Sequence, residues 1–480
     1  MLKIEEIKQF MDDDSASDKK RYARKGQAYY LGDHDIKEYR VFYYNADGKL
    51  VEDTTRSNIR IPHNFFAELC DQVTQYILSG SDRIITSDVP ELQAKLDDYF
   101  NKNENFIVEF SETITGCVAT GVGYMFAYKD KKFRTAFQCA DYIGVVEVRA
   151  KDTDDNTEHV IYWYVDSIEK GRKKIVRIQV WDAQQVYYYV QDGDGNIELD
   201  ASEHINPKPH TLYQEDGKNE IYYEDFGMIP FFRLDNNKRQ LSDLKPIKEL
   251  IDDYDIHASS LTNNLIDFDT PVHVVKGFQG DNLDELQQNL KTKKLIGVDD
   301  DGGVEVHTVD IPYQARVAKL ELDEKSIYRV GMGLNTIGLK DTNATTNVAI
   351  KAAYSLLDLK ASKLEKQLKQ FLRKIIKVVL DEINAEEGTD YTIDMVDVEF
   401  KHEIMSNELE NAQIALTEAQ EQQARITTLL NVATQLDTET LQMQICDVLN
   451  LNYNEIKNKL PKPEEDIASV QGVLNSVPVE

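Results

Sequence analysis

Apolar residues recur every three or four positions along several stretches of the chain, most clearly between residues 347 and 383. This spacing places them on one face of an α-helix, which would be about 55 Å long at about 1.5 Å per residue. The apolar positions are Ile350, Ala353, Tyr354, Leu357, Ala361, Leu364, Leu368, Phe371, Leu372, Ile375, Val378 and Val379. The rest of the helix surface carries Lys351, Lys360, Lys363, Lys366, Lys369, Arg373, Lys374 and Lys377. A helix this long and one-sided must pack against neighbours, within the chain or in other copies.

A second long helix is predicted after a short strand that ends at Leu234 and a polar turn, Asp235-Asn236-Asn237. The helix is predicted to begin at Ser242 or Asp243. With Asp243 as the N-cap, Pro246 falls in the first turn, where its missing N–H costs little. The apolar stripe consists of Leu244, Ile247, Leu250, Ile251, Tyr254, Leu261, Leu265 and Phe268. This stripe predicts a helix of about 25 residues.

The remaining pattern predicts an α+β fold. A hairpin is predicted over residues 37–51, around the turn Asn45-Ala46-Asp47-Gly48. Tyr- and Val-rich strands predict a twisted antiparallel sheet between residues 121 and 235. The basic residues at 19–24 predict a solvated helical face. The other predicted elements are a helix ending at Gly80, helices at 91–101, 104–119 and 313–330, a small α/β insert at 270–312, a strand at 391–400, and polar helices within 405–458. The insert itself is predicted to contain strands at 272–276, 294–298 and 304–309 and a helix at 283–291.

Composition narrows the class of protein. The 480 residues predict roughly two to four domains or an elongated subunit. The net charge of −30 argues against tight binding of DNA phosphates, although DNA could slide past such a surface without sticking. No apolar run long enough to span a membrane occurs, and the charged N-terminus does not resemble a secretion signal. The four cysteines form no Cys-x-x-Cys pair and are expected to be isolated buried thiols.

Motifs that carry chemistry are not found in the sequence. It contains no phosphate-binding loop, no His-Glu-x-x-His and no Gly-x-Ser-x-Gly. The adjacent Asp252 and Asp253 could hold two metal ions as in nucleases, but on an amphipathic helix a solvated face is the simpler interpretation. We therefore expect no catalytic site, metal or cofactor. A metal-dependent nuclease remains as an alternative.

The order of the predicted elements resembles that of the portal proteins of long-tailed bacteriophages. The resemblance covers nearly the whole chain and is most specific at residues 58–80, 226–268 and 331–383. The last segment includes the run Asn347-Val348-Ala349-Ile350-Lys351-Ala352-Ala353-Tyr354. It is weak in the C-terminal third of the chain.

Membership of this family would imply a structural protein, not an enzyme. Another virion structural or scaffold protein remains as an alternative, beside the metal-dependent nuclease. Its subunits form a ring, commonly of about twelve copies, at one vertex of the capsid. Double-stranded DNA passes through the channel during packaging and ejection without sequence-specific binding. The implied partners are the terminase large subunit, a head-completion or connector protein, and the major capsid and scaffold proteins. The implied location is the virion, after assembly in the cytoplasm of the host bacterium and without contact with a membrane.

The resemblance also implies a division of the chain into parts. The parts are a wing at 1–235 with the strand 391–400 added, a stem helix at 236–269, a clip at 270–312, a second stem helix at 313–332, a tunnel loop at 333–346, a long wing helix at 347–390, a crown at 401–460, and a disordered tail at 461–480.

Site residues follow from the same resemblance. The acidic residues expected near DNA in the channel are Asp252, Asp253 and Asp255, on the polar face of the stem helix. Lys340 is the base expected to touch DNA transiently from the tunnel loop, together with Asn335 and Thr336. The clip residues expected to dock partners are Lys291, Lys293, Lys294, Asp299, Asp300 and Asp301. Ordinary exposure to solvent remains the alternative for each of them.

Overall fold

The computed structural model divides the chain into two compact units. It describes residues 1–54, 56–80, 83–130, 133–149, 157–168, 173–214, 221–268, 272–276, 303–307, 312–335, 347–402, 408–433 and 436–449. The first unit comprises Met1–Ile337 and Ala353–Glu403, and the second comprises Gly338–Ala352 and Ile404–Glu480. Helices and strands both contribute substantially, in agreement with the predicted α+β class.

The helices occur at both ends of the sequence, with most of the strands between them. Their bounds are α1 Ile4–Ala16, α2 Asp18–Tyr30, α3 Phe65–Leu78, α4 Pro90–Leu96, α5 Glu104–Thr120, α6 Lys248–Phe268, α7 Tyr313–Gly331, α8 Asn347–Glu387, α9 Glu408–Asn431 and α10 Thr438–Val448. Helix α4, predicted as one helix over 91–101, ends at Leu96 and continues as a π-helical turn at Asp97–Asn101. No helix among the described residues is both long and apolar enough to cross a membrane.

The strands form antiparallel sheets, as predicted for the region 121–235. Their bounds are β1 Phe42–Tyr44, β2 Leu50–Glu52, β3 Ile85–Thr86, β4 Val122–Lys129, β5 Thr135–Ala140, β6 Val145–Arg149, β7 Thr157–Ile168, β8 Lys174–Trp181, β9 Gln185–Gln191, β10 Ile197–Leu199, β11 Lys208–Pro209, β12 Thr211–Gln214, β13 Ile221–Glu224, β14 Phe231–Asp235, β15 Val272–Lys276, β16 Gly303–His307 and β17 Asp397–Val398. The large sheet has the order β10-β9-β8-β7-β6, and a smaller one has the order β14-β4-β5.

Helices α1 and α2 cover these sheets. Ile7 of α1 is packed in the apolar cluster of the large sheet, and Ala23 of α2 in the cluster that joins both sheets. The same packing buries Lys20, whose ammonium group donates to the carbonyl oxygens of Tyr142 and Val145. The prediction that the basic residues at 19–24 form a solvated face is therefore wrong for Lys20. Local periodicity could not reveal the carbonyl groups that satisfy this ammonium group.

Helix α8 confirms the clearest prediction from the sequence. It extends from Asn347 to Glu387 and ends before Gly388, which adopts a left-handed φ of +67°. Its predicted stripe is buried from Tyr354 to Val379, and the ring of Phe371 stacks on that of Phe110 in α5. The helix thus forms one wall of the core of the first unit.

Other predictions agree in part. The hairpin at 37–51 is confirmed as β1 and β2, and the insert contains β15 paired with β16. The strand predicted at 391–400 is much shorter, since only Asp397–Val398 pairs, with β3. The helix predicted at 283–291, the strand at 294–298 and the tail at 461–480 lie outside the described residues.

A close crossing of α2 over α5 gives the first testable prediction. A Cβ atom added at Gly26 would lie 1.9 Å from the carbonyl oxygen of Ala119, a backbone atom that cannot move alone. We expect Gly26→Ala to lower the free energy of unfolding by about 1–3 kcal/mol through overpacking. Gly116→Ala in α5 is the matched control, because nothing lies within 4 Å of its added Cβ. Urea unfolding of the control should show equal or higher stability, and equal losses in both variants would contradict the prediction.

Candidate functional site

The corner between β14 and α6 is held by a dense set of hydrogen bonds. The side-chain amide of Asn236 donates to the carbonyl oxygen of Leu241 at 3.1 Å and to Oδ1 of Asp243 at 2.6 Å. Ser242 Oγ donates to the carbonyl oxygen of Ala119 at 2.6 Å, which ties the corner to α5. Gly121, at the end of α5, has a φ of +98°, and a Cβ there would lie 2.6 Å from the carbonyl oxygen of Gln240. The corner is therefore a fixed connection in the fold.

Helix α6 begins at Lys248, five residues after the predicted N-cap. The predicted role of Asp243 as N-cap is wrong, because its carboxylate is engaged by Asn236 and by Lys360. The hydroxyl of Ser242 instead accepts from the backbone N–H of Leu244 at 3.0 Å. Short turns connect residues 242–247 before regular α-helical bonding starts, in the region where proline at 246 supplies no N–H.

Lys360 connects three parts of this region. Its Nζ lies 2.8 Å from Oδ2 of Asp243 and donates to the carbonyl oxygen of Gly331 at 3.2 Å. Helix α8 thereby braces both the corner before α6 and the C-terminal end of α7. The sequence pattern had placed Lys360 on the outer basic face of α8, and the structure corrects this, since its side chain is only 12% exposed. The sequence did contain an indication that Lys360 is buried, because this residue lies three residues after Leu357 and directly before Ala361, both in the apolar stripe.

After α7, hydrogen bonds from α3 hold the chain just before the predicted tunnel loop. The side-chain amide of Gln72 donates to the carbonyl oxygen of Leu334 at 3.0 Å and accepts from its N–H at 2.9 Å. Leu69 lies so close that a Cβ at Gly333 would be 2.1 Å from its Cδ2. Asn335 is held at this fixed root, whereas Thr336 and Lys340 lie outside the described residues.

Asp252 and Asp253 point to different neighbours. Asp253 accepts from Lys319 of α7 at 2.5 Å and thus joins the two helices. Hydrogen bonds to Asp253 and to Asp323 raise the pKa of Lys319. Asp252 accepts from Lys248 at 2.5 Å and from the hydroxyl group of Tyr29. Because each carboxylate already has a lysine partner on a different side of α6, the pair is poorly arranged to share metal ions as in a nuclease.

Asp255 does not lie on an exposed acidic face. Its side chain is 0% exposed, so the prediction that it belongs to the solvated polar surface of the helix is wrong. Its carboxylate accepts from Nδ1 of His34 at 2.7 Å, from Nδ1 of His63 at 2.8 Å and from the backbone N–H of His63 at 2.9 Å. These donors compensate for the removal of a carboxylate from water.

The partner His34 is itself buried, and both of its ring nitrogens face acceptors. Nδ1 faces the carboxylate of Asp255, and Nε2 lies 3.2 Å from the carbonyl oxygen of Tyr29. The ring stacks on that of Tyr29 with 4.4 Å between centroids. The geometry therefore describes a buried hydrogen bond between His34 and Asp255 that joins the segment after α2 to α6.

His63 is the last residue of an extended segment at 57–63 that lies along α6. In this segment, which we call the strap, alternate backbone N–H groups donate to side chains spaced four residues apart on α6. The pairs are Ser57 with Asp267 at 3.1 Å, Ile59 with Asn263 at 2.7 Å, Ile61 with Ser259 at 3.1 Å, and His63 with Asp255 at 2.9 Å. The match works because two residues of extended chain and four residues of α-helix both advance about 6 Å.

The predicted clip is described only at its base. Strands β15 and β16 pair from Val272 with His307 to Lys276 with Gly303. The ammonium group of Lys276 donates to Glu305 across the two strands at 2.5 Å. The predicted docking residues lie outside the described residues, namely Lys291, Lys293, Lys294, Asp299, Asp300 and Asp301.

Similar proteins are known. The family model described as "Phage portal protein, SPP1 Gp6-like" matches residues 9–447, which include the corner, both helices and the strap. The chain is 29% identical over 352 residues to a protein named "Portal protein" from Bacillus phage SPP1, covering 73% of this chain and 67% of that protein. It is 27% identical over 431 residues to a "Portal protein" from Clostridium phage phiCD119, covering 86% of this chain and 89% of that protein.

The buried carboxylate of Asp255 gives a second testable prediction. Asp255→Asn keeps the shape of the side chain but replaces one accepting oxygen by an N–H group that faces the buried N–H donors of His34 and His63. We expect a loss of about 1–3 kcal/mol in unfolding free energy, the cost of an unsatisfied buried polar group. Asp253→Asn is the control on the same helix, where a partly exposed pair with Lys319 should contribute less than about 1 kcal/mol. Urea denaturation of both purified variants would measure the difference. Similar small losses in the two variants would contradict this role of the Asp255 carboxylate.

Proposed function

Because this chain belongs to the SPP1 Gp6-like family of phage portal proteins, we propose that its copies close into a ring around a channel for viral DNA. The match of the family model to residues 9–447 carries this proposal. The protein is a phage portal protein, and portal proteins are structural components of the virion. In the ring, DNA enters during packaging and leaves during ejection.

In this proposal, α6 and α7 form the stem, within residues 236–269 and 313–332. The ion pair between Asp253 and Lys319 supports their role as one unit. The wing comprises residues 1–235 with the strand at 391–400, and the long helix lies within 347–390. The clip, tunnel loop and crown take residues 270–312, 333–346 and 401–460.

The channel surface of the proposed stem depends on which acidic residues are accessible. Asp253 remains a candidate because its side chain is about half exposed, whereas Asp255 is ruled out by burial. Asp252 is partly covered by Lys248 and Tyr29. An acidic wall repels phosphates and keeps DNA from sticking, in line with the net charge of −30.

The tunnel loop would reach DNA from a fixed base. Gln72 holds Leu334 by two hydrogen bonds, so the chain enters the proposed loop from a defined point. Lys340, with Asn335 and Thr336 nearer the base, would then contact phosphates transiently.

The remaining partners in the proposal follow from the clip and the wing. The clip, with Lys291, Lys293, Lys294, Asp299, Asp300 and Asp301, would dock the terminase large subunit during packaging and the head-completion or connector protein afterwards. The capsid and scaffold proteins would contact the part embedded in the shell. Assembly would take place in the bacterial cytoplasm.

The ring is tested by imaging the purified chain with negative-stain electron microscopy. We expect rings with a central hole, and light scattering should give a mass of about 660 kDa for about twelve copies of the 55.1 kDa chain. A monomer under all assembly conditions would refute the proposal. Magnesium-dependent DNA cleavage that is lost in an Asp252→Asn/Asp253→Asn variant would support the nuclease alternative.

The tunnel loop gives a further prediction. Deletion of residues 337–343 should leave ring formation unchanged, because the root at Leu334 is retained, but should impair DNA packaging or retention in particles assembled with the variant. Replacing the same residues by glycine and serine is the matched control. It keeps the length of the segment and removes Lys340, so it separates the effect of length from the effect of the side chains. Normal packaging by the shortened chain would contradict the assignment of the loop.

A further inference from the structure

The hairpin formed by β1 and β2 is well ordered internally. Phe42 pairs with Glu52, Tyr43 with Val51, and Tyr44 with Leu50. Its turn is closed by Asn45, whose Oδ1 accepts from the backbone N–H of Lys49 at 2.9 Å. The hairpin therefore has a defined shape, with one side formed by Phe42, Tyr44 and Leu50 and, at its base, Glu52.

That side is not covered by the described part of the subunit. Tyr44 is 74% exposed and Leu50 58% exposed, and every other strand residue of the hairpin is exposed as well. An isolated two-stranded hairpin is at best marginally stable in water, and monomeric proteins rarely present contiguous apolar surfaces of this kind. A second surface is needed to cover the hairpin.

The base of the hairpin is fixed on the stem helix. The strap follows β2, and its first residue, Ser57, donates to Asp267 in the last turn of α6. On the other side of the hairpin, the carbonyl oxygen of Lys37 accepts from the guanidinium group of Arg60 in the strap at 2.5 Å. The hairpin thus leaves the subunit near the C-terminal end of α6 and is held there through both of its chain ends.

Helix α7 presents a separate apolar position. It directs Lys319 to Asp253 of α6, whereas Leu322 is 61% exposed. Around Leu322 on the surface of α7 lie the exposed residues Ala318, Glu321 and Lys325, so a carboxylate and a cation flank this apolar position. Tyrosine rings and cations of this kind attract each other. The strap lies on one face of α6 and α7 lies on another. The hairpin and the exposed face of α7 are therefore two different surfaces, and the described residues leave both of them uncovered.

We infer that the hairpin at 42–52 of one copy packs against the exposed face of α7 in the next copy of this chain. The inference rests on the proposed ring, because a closed ring of identical subunits requires two different surfaces that fit each other head to tail. The side of Phe42, Tyr44 and Leu50 supplies the aromatic anchor typical of interface cores, and Leu322 lies at the centre of the receiving surface. The hairpin is thereby an arm that joins adjacent stems.

The arm is tested with Tyr44→Ser/Leu50→Ser and separately with Leu322→Ser. Each variant should need a roughly tenfold or higher protein concentration for half-assembly, as measured by light scattering, with unchanged circular dichroism. The matched control is Leu199→Ser, which changes a 51% exposed leucine in strand β10 of the large sheet. Assembly of the hairpin variants at the same concentration as the control would overturn the inference.

A cross-linking experiment tests directly whether the hairpin of one copy contacts α7 of another. Copies with Tyr44→Cys mixed with copies with Leu322→Cys should give disulfide-linked dimers under mild oxidation, and neither variant alone should give them. The four native cysteines make the single variants essential controls. Rings that form without this cross-link would overturn the arm but not the portal function, whereas failure of the unmodified chain to form rings would overturn both.

Discussion

The buried carboxylate of Asp255 is the interaction on which the arrangement of α6, the strap and the segment after α2 depends. It joins three segments that are far apart in sequence, since His34 follows α2, His63 ends the strap and Asp255 lies in α6. A buried carboxylate without partners would be strongly unfavourable, but here three N–H donors, one from His34 and two from His63, offset the cost. The strap and the hairpin owe their position to this contact, because the strap's hydrogen bonds to α6 begin at His63 and continue to Ser57.

A second set of contacts surrounds Lys360. This ammonium group joins the corner before α6 to the end of α7, and α3 holds the next residues through Gln72. Leu334 and Asn335 are thereby fixed against α3 and α7.

The sequence predicted the helices and strands well, but it did not predict which charged side chains are buried. The stripe from Tyr354 to Val379 and the turn at 45–48 predicted α8 and the hairpin correctly, because both patterns are local. The same reasoning placed Lys20, Lys360 and Asp255 on solvated faces, and in the structure all three are removed from the solvated surface. It also assigned Asp243 to a helix cap, although Asn236 and Lys360 engage its carboxylate.

The sequence by itself determined the order of helices and strands, the long amphipathic helix and the resemblance to portal proteins. These follow from spacing along the chain, which fixes the face on which apolar side chains lie. Only the tertiary structure decided which charged groups are buried and which apolar side chains remain exposed. The burial of Asp255 depends on His34, which lies 221 residues away in the sequence. Tyr44 is exposed because no described residue of the subunit packs over its ring. Neither is encoded in local periodicity, because burial depends on which distant segments the fold brings together.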